Sequence, residues 1–297
     1  MSRANIAVLL AAAASVIGCA APPSVPAIPP PPLTPAQRSA LESNLVAAEQ
    51  ALAANPDSEE AAIWVARRLG YLGRYKEAID TLTRAAAIHP DSYRILRHRG
   101  HRWISVRRFD LAVNDLTRAW ELAKHHPDQI EPDGAPTPGV PPRSTDHSNI
   151  LYHLALARYL RAEYAPAADL FNRAANLPLT NDDNRVSCAH WRYLALMRLG
   201  RADDARALLD TVTPAMDVCE NGAYHRLLLR YKSPPPEALP PDAELADPAF
   251  AYGVAAHLML HRRDNDARAL LARIVESTNS AAFGHIAAET DLRRSSR

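Results

Sequence analysis

Between Ser92 and Phe109 the sequence carries Arg94, Arg97, Arg99, Arg102, Arg107 and Arg108, together with His98 and His101, and no acidic residue. Guanidinium forks bind carboxylates through paired hydrogen bonds, so this stretch is suited to an acidic peptide or the terminal carboxylate of a protein. The plainer alternative is a solvated basic helix face. His257 and His261 lie four apart, which puts two imidazoles on one helix face, with Asp264 and Asp266 close behind. A closed zinc centre takes four ligands, and no further set stands out, so ordinary partly exposed histidines are expected and neither metal nor cofactor is. No G-x-S-x-G elbow, phosphate-cradling glycine loop, H-E-x-x-H or C-x-x-C-H occurs, and an enzyme is not expected.

These groups need elements to position them, and the stretch from Pro56 to Pro90 shows which. Asn55-Pro56-Asp57-Ser58 returns as His89-Pro90-Asp91-Ser92, 34 residues later. A fixed period near this length marks a helical repeat. Ser58 is an N-cap for a helix of about residues 58–72, with Glu59 and Glu60 where the helix dipole favours negative charge. Gly73 ends it, and a second helix runs from Tyr75 to the stop at Pro90. Ala78 and Ala85 are small enough to let helix axes approach. One such pair cannot bury its own apolar face, so about three or more must stack.

Gly73, Tyr75, Ala78, Leu82 and Ala85, closed by Pro90, resemble the tetratricopeptide (TPR) repeat in order and spacing. The resemblance extends further along the sequence. Leu96, Gly100, Trp103, Phe109, Ala112, Leu116 and Ala119 match in a second repeat. Leu151, Leu154, Ala155, Tyr164, Ala167, Phe171 and Ala174 match in a third. A fourth has Trp191, Leu194, Ala195, Gly200, Ala205 and Leu209, with a first helix about two residues short. A fifth has Val254, Ala255, Leu258, Ala267, Leu271 and Ile274. Residues 36–54 read as half a degenerate repeat, 220–232 as a lone helix, and 280–294 as a cap. The implied fold is an all-α, TPR-like solenoid over residues 36–297 with proline-rich insertions at 125–147 and 233–248. The first insertion is too long for a plain connection, so it is functional or disordered, and its composition favours disorder.

In TPR arrays the first helix of each pair lines a concave groove. Carried over, the resemblance places Ile63, Arg67, Arg94, Arg97, His98, His101, Asn149, Tyr152, His153 and Leu156 on that wall. It implies a protein or peptide partner, and the arginines suit an acidic one. The pattern departs from the lysine–asparagine carboxylate clamp of chaperone-binding TPR domains.

Composition sets the remaining limits. In 297 residues the hydrophobic share is 47%, enough for a core, while a net charge of +1 gives no polyelectrolyte attraction to nucleic acid. Arg3 precedes an apolar run from Ile6 to Ile17, too short to span a bilayer but suited to a signal peptide. Val16-Ile17-Gly18-Cys19 resembles the lipobox of bacterial lipoproteins. That implies a signal peptide of residues 1–18, a lipidated Cys19, and, with Ala20 following, an outer-membrane protein facing the periplasm. The alternative is ordinary cleavage at Ala20-Ala21. Residues 19–35 hold eight prolines and read as an extended tether. In an oxidising compartment Cys188 and Cys219 form a disulfide or remain two buried thiols.

The expected function is a lipid-anchored TPR scaffold that binds a partner segment in a basic groove. Two rivals stand beside it. One is a metal-dependent or enzymatic accessory factor. The other is a glycan-binding envelope protein, which needs exposed aromatics, whereas Trp64, Trp103, Trp120 and Trp191 fall at packing or helix-face positions.

Overall fold

The computed structural model describes residues 25–132, 140–277 and 279–295. The signal segment and Cys19 lie outside the described residues. Among these the protein is helical, with one isolated β-bridge, Ile130 to Thr145.

Helix α1 (Pro35–Ala54) opens on a capping box between Thr34 and Gln37, with Pro35 in the first turn. Five pairs follow. They are α2 (Glu59–Tyr71) with α3 (Tyr75–Ile88), α4 (Tyr93–Ser105) with α5 (Phe109–Ala123), and α6 (Asp146–Leu160) with α7 (Tyr164–Ala175). Then come α8 (Asp182–Arg198) with α9 (Ala202–Asp210), and α12 (Pro248–Leu260) with α13 (Asp264–Glu276). Between the last two pairs lie α10 (Gly222–Arg230) and the single turn α11 (Asp242–Leu245), and α14 (Phe283–Ser295) ends the array. The expected repeat order holds. The fourth repeat differs in detail: its first helix, α8, has 17 residues and is not short, whereas α9 has 9. The extra length lies at the start of α8, where Asn181 caps the helix and Asp182 and Asp183 occupy the first turn.

The two helices of a pair begin differently. Each first helix is capped by a side chain, from Ser58, Ser92, Thr145, Asn181 or Asp247. The second helices have no such cap, because the backbone enters them from a tight turn. Gly73, Arg107, Ala162, Gly200 and Arg262 all take a left-handed conformation, with φ between 61° and 77°. In each turn the next N–H reaches back to a carbonyl near the end of the first helix: Arg74 to Leu69, Arg108 to Trp103, Glu163 to Arg158, Arg201 to Leu196 and Arg263 to Leu258, at 2.9–3.0 Å. This is a Schellman turn, and the repeat keeps it whether or not glycine is present. Three side-chain-bearing residues therefore sit where an L-residue is disfavoured. Ala162 is exposed and its side chain holds nothing. Ala162→Gly is expected to stabilise the fold by about 1 kcal/mol, read as a rise in the urea midpoint; a fall would show that the turn is not left-handed there.

Consecutive helices pack against one another, and the first helices also touch in sequence, α2 on α4, α4 on α6 and α6 on α8. Fully buried alanines let them approach: Ala78, Ala112, Ala119, Ala167, Ala174, Ala205 and Ala267. Helix α10 lies between α8 and α12. Helix α14 packs on α12 and α13 and reaches back across the array. Its Asp291 accepts hydrogen bonds from Arg198 and Tyr252, and its Glu289 pairs with Arg107 at 2.8 Å. A β-carbon on Gly284 would lie 2.1 Å from the Pro248 carbonyl oxygen, so only glycine permits this contact.

Two proline-rich segments behave otherwise than their composition suggests. Residues 25–33 lie on the fold and do not project from it. Val25 and Ile28 pack against the main core, Pro30 lies against Gly73, and the Pro29 carbonyl accepts from Ser280 at 2.8 Å. Residues 233–248 are held by Arg263, which donates to the carbonyls of Pro236 and Glu237, and by His257, which bonds the Ser233 carbonyl at 3.1 Å.

Candidate functional site

Arg67, Arg97, His98 and Asn149, from α2, α4 and α6, come together on one side of the array, but the wall they form is not vacant. The first insertion is closed at its base: Glu131 N–H donates to the Ser144 carbonyl and Asp146 N–H to the Gln129 carbonyl, both at 3.0 Å. This closure turns the Glu131 side chain onto α2, α4 and α6, where the residue is only 5% exposed. Its Oε1 lies 3.0 Å from Arg97 Nη2, 3.7 Å from Arg67 Nη1 and 3.8 Å from His98 Nε2. Its Oε2 accepts from Asn149 at 2.9 Å, and Arg67 also donates to the Pro132 carbonyl at 2.8 Å. The wall thus receives a carboxylate, and the protein itself supplies it. The expectation that the segment is disordered fails for its described residues, because burying Glu131 against two guanidinium groups ties them down.

The other arginines also find acids outside the local stretch. Arg94 pairs with Glu60 at 2.6 Å, one repeat earlier at the equivalent position. Arg99 grips Asp115 through two bonds at 2.7 and 2.8 Å, and Trp103 donates to the same carboxylate at 3.1 Å. Arg107 goes to Glu289 and Arg108 to Asp110. Of the six, only Arg102 has no carboxylate within ion-pair distance among the described residues. Ile63 and Leu156, expected on the wall, are buried core residues.

The histidines of the wall are neutral. Burial first, then the neighbouring arginines, hold His98 and His101 well below their ordinary range. Burial and then Arg97 bring His153 down to about 3. His98 Nδ1 accepts from Arg97 at 2.9 Å, and His101 stacks on His153 with ring centres 4.3 Å apart. Phe283, at the start of α14, closes over both rings.

Next to the occupied half the wall stays open. A cleft of about 260 Å³ lies between α6, α8 and α10, with Arg143, Asn149, Tyr152, Asn184, Tyr224 and Phe283 among its lining residues. Tyr152 is fixed by the Trp191 indole N–H, which donates to its hydroxyl at 2.9 Å. Asp183 shapes the far end. Its buried carboxylate accepts the backbone N–H groups of Cys219, Glu220 and Asn221 at 2.9–3.0 Å, ordering the entry to α10. Sequence reasoning missed Asp183, Tyr224 and Phe283, which belong to a helix start, the lone helix and a capping helix that repeat matching did not place on the wall.

No protein-family model and no curated protein matches this sequence. Solved structures do. A chain of the APC/C hetero-tetramer Cut9–Hcn1 is 15% identical, with a TM-score of 0.50, over 87% of this protein and 40% of that one. YrrB, described as a TPR protein with an unusual peptide-binding site, is 12% identical at a TM-score of 0.44, over 83% of this protein and 98% of its own length. The paired helices, the 34-residue interval between the Gly73 and Arg107 turns and the likeness to the first of these structures agree. The protein is a TPR-type α-solenoid.

The remaining candidates take structural places in the TPR array. Cys188 and Cys219 are separate free thiols in the structure, and only Cys188 is buried. Cys188 faces the core from α8, where burial lifts its thiol to about 12, whereas Cys219 is exposed on the loop before α10. His257 and His261 do meet, ring centres 4.4 Å apart, but Asp266 is taken by Arg263. Among the described residues no three metal-ligating side chains converge. Trp103 and Trp191 are buried, while Trp64 lies under Arg67 and Arg68 and Trp120 under Arg173.

Proposed function

We propose that this protein is a protein–protein interaction scaffold whose partner lies as an extended acidic segment along the inner wall, entering the cleft between α6, α8 and α10. The observation that carries the reading is the seat of Glu131. The wall already holds one acidic, non-helical segment, and it does so with a buried carboxylate on Arg97 and Asn149. The open cleft beside it continues the same surface with carboxamides that suit a peptide backbone and aromatic rings that suit its side chains.

The lipobox-like Val16-Ile17-Gly18-Cys19 supports a bacterial lipoprotein, lipidated at Cys19 and held at the outer membrane facing the periplasm. A photo-crosslinking residue at Asn184 in living cells tests the groove. Adducts with a defined protein are expected there and not from Lys76, exposed on α3. Equal yields from both positions, or none from Asn184, overturn the groove reading. A palmitate analogue tests the anchor separately: Cys19→Ala should lose the label and leave the membrane fraction.

A further inference from the structure

Beside the Glu131 seat, between α2 and α4, lies a small pocket of about 90 Å³ lined by Arg67, Tyr71, Arg97, His98, His101 and Arg102. Three guanidinium groups surround it. Among the described residues the one carboxylate within 4 Å of any of them is Glu131, which touches Arg67 and Arg97 and not Arg102. Arg102 has no hydrogen-bond partner either, among the described residues, and the Tyr75 ring lies 5.9 Å from its central carbon. It lies flat over Gly70, where a β-carbon would come within 2.2 Å of its Nη1. Arg97 is 8% exposed, and its buried Nε has no partner. Both histidines are neutral, so they do not alter the count. Among the described residues one carboxylate thus meets three positive charges, in a pocket whose Arg67 and Arg102 are half-buried.

Such an arrangement is costly when empty, because like charges repel more strongly where burial reduces screening by water. The cost falls when an anion enters, and its charge should match. A single carboxylate leaves one guanidinium bare, whereas a dianion neutralises both. The size agrees: a pocket of about 90 Å³ has room for several waters, and so for a tetrahedral oxyanion. Arginine forks match phosphate oxygens in pairs.

We propose that this pocket binds a doubly charged oxyanion, a phosphate group, between Arg67, Arg97 and Arg102. The site does not depend on the protein-partner reading, since it lies beside the cleft and needs no peptide.

The test is thermal unfolding of the purified full-length protein at pH 7 and fixed ionic strength, titrated with inorganic phosphate, phenyl phosphate or acetate. Phosphate is expected to raise the midpoint saturably by several degrees, and acetate to leave it unchanged. Phenyl phosphate separates the sources. A response at least equal to that of phosphate marks a group carried on a larger ligand, and a response to the inorganic ion alone marks a free-ion site. Arg102→Gln should weaken the phosphate response at least tenfold, yet unfold at a higher temperature than the unmodified protein in phosphate-free buffer, because it removes the repulsion. A structural arginine would give the opposite sign. Broadening of the phosphorus NMR line of free phosphate by the unmodified protein provides a measurement that needs no variant. Equal shifts with phosphate and acetate, no broadening, or an Arg102→Gln protein that responds as the unmodified one does would each overturn the proposal.

Discussion

Acidification from pH 7 to pH 5 is expected to cost this protein about 5 kcal/mol of stability, enough to unfold many domains. The cause is five histidines that the fold keeps neutral. Burial and nearby charge lower His98 and His101 well below their ordinary value, His153 and His190 to about 3, and His257 to about 4. In the unfolded state each titrates near 6.5. Above that value neither state is protonated and the full stability is present. Below it the unfolded state takes up protons that the folded state refuses, so stability falls as pH drops from 6.5 towards the folded values. At pH 5 each group alone costs about 2 kcal/mol. Halving the total allows for the water and relaxation that a newly charged side chain recruits. Urea unfolding at pH 7, 6 and 5 measures the fall. His190→Phe should recover about a fifth of it, because His190 is fully buried, stacks on Tyr224 at 4.5 Å and leaves its Nε2 without a partner. A stability that stays level down to pH 5 would mean that these rings are charged in the native state.

Removal of the Glu131 side chain is expected to destabilise the protein by about 3–5 kcal/mol, as breaking one side of a buried ion pair does. Arg67 and Arg97 have 12% and 10% of their side-chain surface exposed, and Glu131 is the carboxylate that compensates both. Glu131→Ala leaves their charges in place with no carboxylate among the described residues to meet them. The base of the insertion should then lift from the wall, and limited proteolysis should cut between residues 129 and 145 far sooner than in the unmodified protein. Glu131→Gln should cost less, about 2 kcal/mol, because an amide still accepts from Asn149 while the charge is lost. Two variants as stable and protease-resistant as the parent would show that this carboxylate does not occupy the wall.

Both effects arise from long-range placement, and that divides what was readable in the sequence from what was not. The helix pairs were legible because their causes are local. Ser58 and Ser92 cap helices through their own side chains, and small residues at repeat spacing mark where axes approach. The turns were legible only in part: Gly73 and Gly200 announce a left-handed residue, but Arg107, Ala162 and Arg262 adopt the same geometry because the helices on either side demand it. Repeat register also brings Arg97, His98 and Asn149 near one another, and all three meet around Glu131.

The occupant of that wall was not legible. Between Ser92 and Phe109 the absence of acids suggested free cations, yet their partners are Glu60, Asp115, Glu131 and Glu289, drawn from four other elements. Charge pairing depends on distance in space, and a local window of sequence holds no information on it. The same holds for proline-rich segments. Composition says that they form no core of their own, which is correct, but it cannot say that residues 25–33 and Glu131 find apolar or charged surface elsewhere to lie on. The sequence by itself determined the helical modules and their order. The tertiary structure alone decided that one half of the wall is filled from within, that the other half is open, and that no carboxylate among the described residues meets Arg102, because each of these is a balance of burial and charge between residues brought together only by the superhelix.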